Sequence, residues 1–164
     1  MRPVREIPGP GQESVWDYPR PPRLEAVPAR IVVELGGVVV ADTTAAFRVL
    51  ETSHPPTYYL PPDAWLPDSL VEADGTSFCE WKGLARYWTV VGGTRREEAA
   101  AWSYPDPSPA FAALVDHVAI YCARTDRCTV DGEVATAQPG GFYGGWVTST
   151  VAGPFKGIPG SWGW

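Results

Sequence analysis

The chain has 164 residues, 45% of them hydrophobic and 20% charged, with a formal net charge of −6. That length allows one domain with a proper core, and the balance excludes wholesale disorder. The acidic balance also argues against nucleic acid as a partner, since no block of Lys and Arg follows a phosphate backbone and Arg95-Arg96 runs straight into Glu97-Glu98.

Eighteen Pro and seventeen Gly favour short strands joined by ordered loops, and eight Trp ask for either a large-ring core or a surface built to grip a ligand. No apolar run approaches the roughly twenty residues that cross a bilayer, so no membrane partner is expected. The opening Met1-Arg2-Pro3-Val4-Arg5 carries no apolar signal region, and Cys79, Cys122 and Cys128 form no paired framework. These features predict a cytoplasmic protein with free thiols.

Residues 1–28 hold seven prolines and read as an extended arm docked through Val15, Trp16 and Tyr18, leaving 29–164 as a single domain. Ile31–Leu35, Gly36-Gly37 and Val38–Ala41 predict a hairpin, because β-branched runs meet at glycines that tolerate positive φ. Ala45–Glu51 fits strand or helix, with alternation leaning to strand. Thr57–Leu60 predicts a short strand stopped by Pro61-Pro62, and Asp63–Asp74 shows no pattern beyond local caps. Ser77–Trp81, Leu84–Val91, the turn Gly92-Gly93 and Thr94–Tyr104 predict a second sheet. Ser108-Pro109 opens the one expected helix, ending at Leu114, with Ser108 as its cap. Val118–Tyr121 and two strands flanking Asp131-Gly132 follow, and from Pro139 the tail alternates glycines with Phe142, Tyr143, Trp146, Phe155, Trp162 and Trp164. The sum is a mainly β chain of antiparallel sheets with one or two short helices.

The stretch Cys79–Tyr104 carries the most chemistry. Read as a strand, Cys79-Glu80-Trp81-Lys82-Gly83 puts Cys79, Trp81 and Gly83 on one face and Glu80 and Lys82 on the other. A thiol near an ammonium favours the thiolate, which makes Cys79 and Lys82 a candidate catalytic pair. The same residues also fit a buried thiol and a solvated lysine. His54, His117 and the three cysteines lack close ligand pairs, so no metal or other cofactor is expected. Phosphate-cradling loops and a nucleophile elbow are absent too. Trp81, Tyr87, Trp88, Trp102 and Tyr104 come from neighbouring strands; alternation sends Tyr87 and Trp88 to opposite faces, so only part of the set can line one cavity.

Thr43–Thr52, Pro55–Pro61, Cys79–Gly83 with Ala85-Arg86-Tyr87-Trp88, and Ala101-Trp102-Ser103-Tyr104-Pro105 together resemble the bacterial domain of unknown function 427 family, sometimes labelled nucleotidyltransferase-like. The tail Gly140–Trp146 and Gly153–Gly157 is similar to that of its single-domain actinobacterial members. Glu80-Trp81 departs from many members, and no Gly-Ser pair with spaced aspartates supports the nucleotidyltransferase label. The resemblance implies a β-tent-like fold of two antiparallel sheets, like those of the cereblon thalidomide-binding domain and methionine sulfoxide reductase B. Their zinc-binding Cys pairs are missing here. By analogy with cereblon's cage, Trp81, Trp88 and Trp102 would form a three-ring wall.

Three functional readings follow. In the first, a small-molecule-binding domain uses that wall, the polar tips of Tyr58, Tyr87 or Tyr104, and Arg48, Glu51 and Lys82 to fix a polar end of the ligand. The second is an enzyme acting on a small molecule through Cys79 and Lys82. The third is a scaffold that self-associates, as a homodimer, through the Gly/Trp tail.

Overall fold

The computed structural model describes residues 2–164, and β-branched runs broken by Gly and Pro become short antiparallel strands in it. Before the first long hairpin come β1 (Glu13–Ser14), β2 (Arg23–Val27), β3 (Ile31–Leu35), β4 (Val38–Thr43), β5 (Ala46–Leu50) and β6 (Thr57–Tyr59). The long strands β7 (Leu70–Cys79), β8 (Gly83–Gly92) and β9 (Arg95–Ser103) follow. Then come β10 (Val118–Ile120), β11 (Arg127–Val130), β12 (Glu133–Val134), β13 (Thr136–Ala137), β14 (Trp146–Val147) and β15 (Val151–Ala152).

Three antiparallel sheets carry the architecture, in the orders β10-β9-β8-β7, β12-β11-β3-β4 and β2-β5-β6. Two two-stranded pairs, the parallel β1-β15 and the antiparallel β13-β14, tie the ends of the chain to this frame. The fold is thus mainly β with few helical turns, as composition predicted. No helix is long and apolar enough to cross a membrane.

The long sheet is covered on both faces. One face adds Val90 and Trp88 to a core with Ile31, Val33, Leu35, Leu60 and Trp146. The other adds Ala85, Trp102 and Tyr104 to Tyr59, Phe111 and Leu114. The sheet β2-β5-β6 joins it at one corner, where Leu60 and Val118 exchange backbone hydrogen bonds of 2.9 and 2.8 Å. A third cluster packs Val15, Trp16 and Tyr18 against Leu50 and Val151.

Several local expectations are corrected. The patternless stretch Asp63–Asp74 contains the first half of β7, whose register with β8 shifts between Glu72 and Thr76, so a bulge breaks the alternation that would have revealed it. Arg23–Val27 of the arm is an edge strand on β5. The expected helix is a 3₁₀ segment, Pro109–Leu114, bent at Phe111. Ser108 does not cap it; its hydroxyl donates to the Trp81 carbonyl instead.

The glycine turns of two hairpins meet. Gly36 and Gly37 adopt φ of 62° and 76°. A Cβ on Gly36 would lie 1.9 Å from the carbonyl oxygen of Gly92, whereas one on Gly37 would meet nothing within 4 Å. Gly37→Ala is therefore expected to lose about 1–2 kcal/mol from left-handed strain alone. Gly36→Ala should lose clearly more, because backbone must also move. Urea unfolding of the two variants checks this, and equal losses would show that the turns do not need their close approach.

Candidate functional site

Alternation on two strand pairs decides what faces what. Along β5 and β6, Arg48 pairs with Tyr58 and with Glu25 on one face of the sheet. Their neighbours Val49, Thr57 and Tyr59 point to the other face. Along β8 and β9, Tyr87 stands opposite Trp102, and Trp88 stands opposite Ala101. The face carrying Val49, Thr57 and Tyr59 and the face carrying Tyr87, Trp102 and Tyr104 line one cavity of about 380 Å³.

The remaining wall is the C-terminal tail. Gly144 lies against the Trp102 ring so closely that a Cβ there would sit 2.2 Å from it. Gly145 exchanges bonds with Gln138, its N–H donating to Oε1 (3.1 Å) and its carbonyl accepting the Gln138 N–H (2.9 Å). Tyr143, Phe142 and Lys156 complete that side, and the Tyr121 ring lies 4.6 Å from the Trp102 ring at a 46° tilt. Trp102 itself is 8% exposed, and its indole N–H donates to the Tyr59 hydroxyl at 3.3 Å. Burial holds the Tyr59 and Tyr104 phenols above their ordinary pKa, so both present neutral hydroxyls.

Lys82 enters from the β7–β8 turn. The strand expected through Trp81 stops at Cys79, and Glu80–Lys82 turn the chain because Gly83 takes φ 109°. The alternation expected for Cys79, Trp81 and Lys82 therefore does not hold. Ser108 fastens the turn, its N–H donating to the Lys82 carbonyl at 3.0 Å. The ammonium sits 5.7 Å from the Tyr104 ring centre and 6.0 Å from that of Phe111. Lys156 is held by its backbone: its N–H donates to the Ser53 carbonyl (2.9 Å), and its carbonyl accepts from Gln138 Nε2 (2.9 Å). Its ammonium lies 5.7 Å from the Tyr143 ring centre and donates to the Trp164 carbonyl.

Of the residues singled out from sequence, Glu51, Lys82, Tyr87, Trp102 and Tyr104 share this cavity. Arg48 and Tyr58 do not; they line a separate cavity on the opposite sheet face, where Arg48 bonds Glu13 and Glu25. Burial opposes the Arg48 charge, but those two carboxylates outweigh it and raise its pKa further, so this arginine ties β5 to β1 and β2. The three tryptophans form no common wall. Trp88 faces the other core and donates its indole N–H to Ser103 Oγ at 2.9 Å, while Trp81 and Cys79 pack half-buried against the aromatic cluster outside the cavity lining. His54, Tyr59, Tyr121, Gln138, Tyr143 and Lys156 line the cavity and were not expected there. The Tyr58-Tyr59 pair was a usable signal for Tyr59; nothing local foretells that the tail folds back over Trp102.

Glu51 is the cavity's carboxylate, and it already has partners: an Arg20 guanidinium at 3.2 Å and His54 Nε2 at 3.5 Å. Gln138 spends its Oε1 on Gly145, so its Nε2 donates to His54 Nδ1 at 2.9 Å. That bond makes Nδ1 an acceptor and leaves the ring proton on Nε2, toward Glu51. Among the described residues no group of three or more His, Cys, Asp or Glu is placed to hold a metal ion.

A family model described as Domain of unknown function (DUF427) matches residues 23–131, more than half of the chain, and the chain belongs to that family. No curated protein matches it. The match includes Tyr59, Lys82, Tyr87 and Trp102, and ends before the tail wall begins at Gln138.

His54 sets a pH dependence. Burial lowers its pKa to about 4, with Glu51 opposing and Lys156, Arg20 and Lys82 adding to the fall. Unfolded, it would titrate near about 6.5. Between these values the unfolded chain binds the extra proton, so stability from this group is complete above about pH 6.5 and declines as pH falls toward about 4. The slope is at most about 1.4 kcal/mol per pH unit. Urea midpoints measured from pH 7 to 4 should fall less steeply in His54→Gln than in the parent. Parallel curves would mean that His54 is not held neutral.

Proposed function

We propose that this member of the DUF427 family binds a small molecule in the cavity between β5-β6, β8-β9 and the C-terminal tail. The observation that carries the reading is the cavity's construction: a concave space of about 380 Å³, walled by rings and provided with a few fixed polar groups. Small-molecule sites have this form and span about 300–1,000 Å³. Trp102 and Tyr121 supply apolar ring surface, and Tyr104 and Tyr143 supply phenol hydroxyls. The two lysines supply charge.

The thiol chemistry expected from Cys79 has less support. Its side chain is half-buried and absent from the cavity lining, so Lys82 faces the cavity without it. Binding is therefore the reading adopted here, with Cys79 as a packing residue of the hairpin tip.

A fragment screen by thermal shift tests the proposal. A ligand at about 100 times its Kd should add about 2.7 kcal/mol, raising Tm by roughly 5–10 °C for a chain of this size. Tyr143→Ala, which removes one ring from the wall, should weaken any hit by up to about tenfold. Cys79→Ser should leave it unchanged. Hits whose affinity ignores Tyr143 but collapses with Cys79 would overturn the reading in favour of thiol chemistry.

A further inference from the structure

The distribution of cations in this protein is uneven. Of its thirteen basic residues only two are lysines, Lys82 and Lys156, far apart in sequence. Every arginine except Arg2 stands within salt-bridge distance of a carboxylate. Among the described residues neither lysine has an Asp or Glu partner, although the Lys156 ammonium donates at 3.2 Å to the main-chain oxygen of Trp164, the last of the 164 residues; both line the same cavity. Each ammonium is seated beside an aromatic ring of that cavity, Lys82 beside Tyr104 and Lys156 beside Tyr143. The cavity's carboxylate does not neutralise them, since Glu51 is held by Arg20 and faces the Nε2–H of His54.

Two ammonium groups in one recess, neither facing an Asp or Glu side chain, are unfavourable for each other, and a ligand of opposite sign relieves that repulsion. Elsewhere the protein is acidic, with a formal net charge of −6, so the recess is a local exception to the sign of the whole. Lysine presents a compact point charge that suits phosphate or carboxylate oxygens. Beside it, Trp102 and Tyr121 present rings with centres 4.6 Å apart and planes inclined at 46°, and Tyr87 closes the same face.

We propose that the ligand of this cavity is an aromatic anion, its charged group held by Lys82 and Lys156 and its ring laid against Trp102 and Tyr121. The inference rests on the small-molecule reading above and names the ligand's chemical class. The phenol of Tyr143 donates to the same charged group as a neutral hydroxyl, which adds a hydrogen bond without adding charge.

Calorimetric titration of the full chain with phenyl phosphate, benzoate and benzamide tests it. Affinity should fall in that order, since the dianion meets both ammonium groups and the amide meets neither as a charge. Lys82→Met and Lys156→Met should each weaken phenyl phosphate about tenfold or more, the usual worth of a charged hydrogen bond, and leave benzamide unchanged. Lys82→Arg and Lys156→Arg should restore most of the loss, separating charge from packing where the tail contact of Lys156 matters. Because these are the chain's only lysines, reductive methylation read by mass spectrometry gives a second measure: phenyl phosphate should slow it at both, and benzamide should not. Equal affinity for the acid and the amide, indifferent to both Met variants, would overturn the anion inference and leave the binding cavity standing. Phenyl phosphate binding that survives both Met variants but is lost in Arg2→Ala/Arg5→Ala would overturn it by moving the anion to the N-terminal arm. No binding by any probe, with no fragment hit in the thermal screen, would remove both proposals.

Discussion

Successive side chains of a strand face opposite ways, and in this protein that constraint sorts structural groups from exposed ones. On β5 and β6 it sends Arg48 and Tyr58 to the face that docks the arm, and Val49, Thr57 and Tyr59 to the cavity. On β8 and β9 it sends Trp88 to one core and Tyr87 and Trp102 to the other side. A slip of one residue in either register would exchange these sets, placing a guanidinium in the aromatic recess and a phenol against Glu13 and Glu25. The apolar content of both faces of the long sheet makes such a slip expensive. Register, core and cavity are therefore one property seen from three sides.

Charge follows the same partition. Arginine, with its planar fork, serves as the connector: Arg48 joins Glu13 to Glu25, Arg30 grips Asp42 through two nitrogens, and Arg95 spans Glu97 and Asp126. Most of these pairs are exposed, and each contributes little to stability. Their consequence is local neutrality across the surface. Against that background the two lysines stand out because, among the described residues, neither has an Asp or Glu partner and both line one cavity.

How much of this was legible beforehand depends on which physical signal each element carries. β3 and β4 were readable because Gly36-Gly37 separates two β-branched runs, and the opposition of Tyr87 and Trp88 followed from alternation alone. β7 was half hidden, since its bulge after Glu72 interrupts the period that pattern reading depends on. The turn at Glu80–Lys82 was mistaken for strand because Gly83 announces a bend without stating where it begins. Lys82, Glu51, Tyr87, Trp102 and Tyr104 share one cavity, whereas Arg48 and Tyr58 were grouped with them by proximity in sequence rather than by face. Lys156, Gln138 and Tyr143 could not be found locally: their positions depend on contacts that span the chain, such as Trp146 N–H to the Pro56 carbonyl at 2.8 Å.

That long-range closure gives the tail a role beyond covering apolar surface. Tyr143 and Gly144 line the main cavity and also a second one of about 330 Å³ that shares Tyr121 and Gln138 with it. The partition is thin because it consists of Tyr143, whose ring packs on His54 at 4.9 Å, and Gly144, laid on Trp102. It is held at one end by the Gln138–Gly145 bonds and at the other by Lys156, whose backbone bonds Ser53 and Gln138. Gln138 reaches both ends and also fixes the proton on His54. A single buried amide thus couples the position of the wall, the tautomer of the imidazole beside Glu51, and the seat of one of the two ammonium groups. Displacing Lys156 would disturb all three at once, which makes the tail part of the cavity's construction rather than a cover over it.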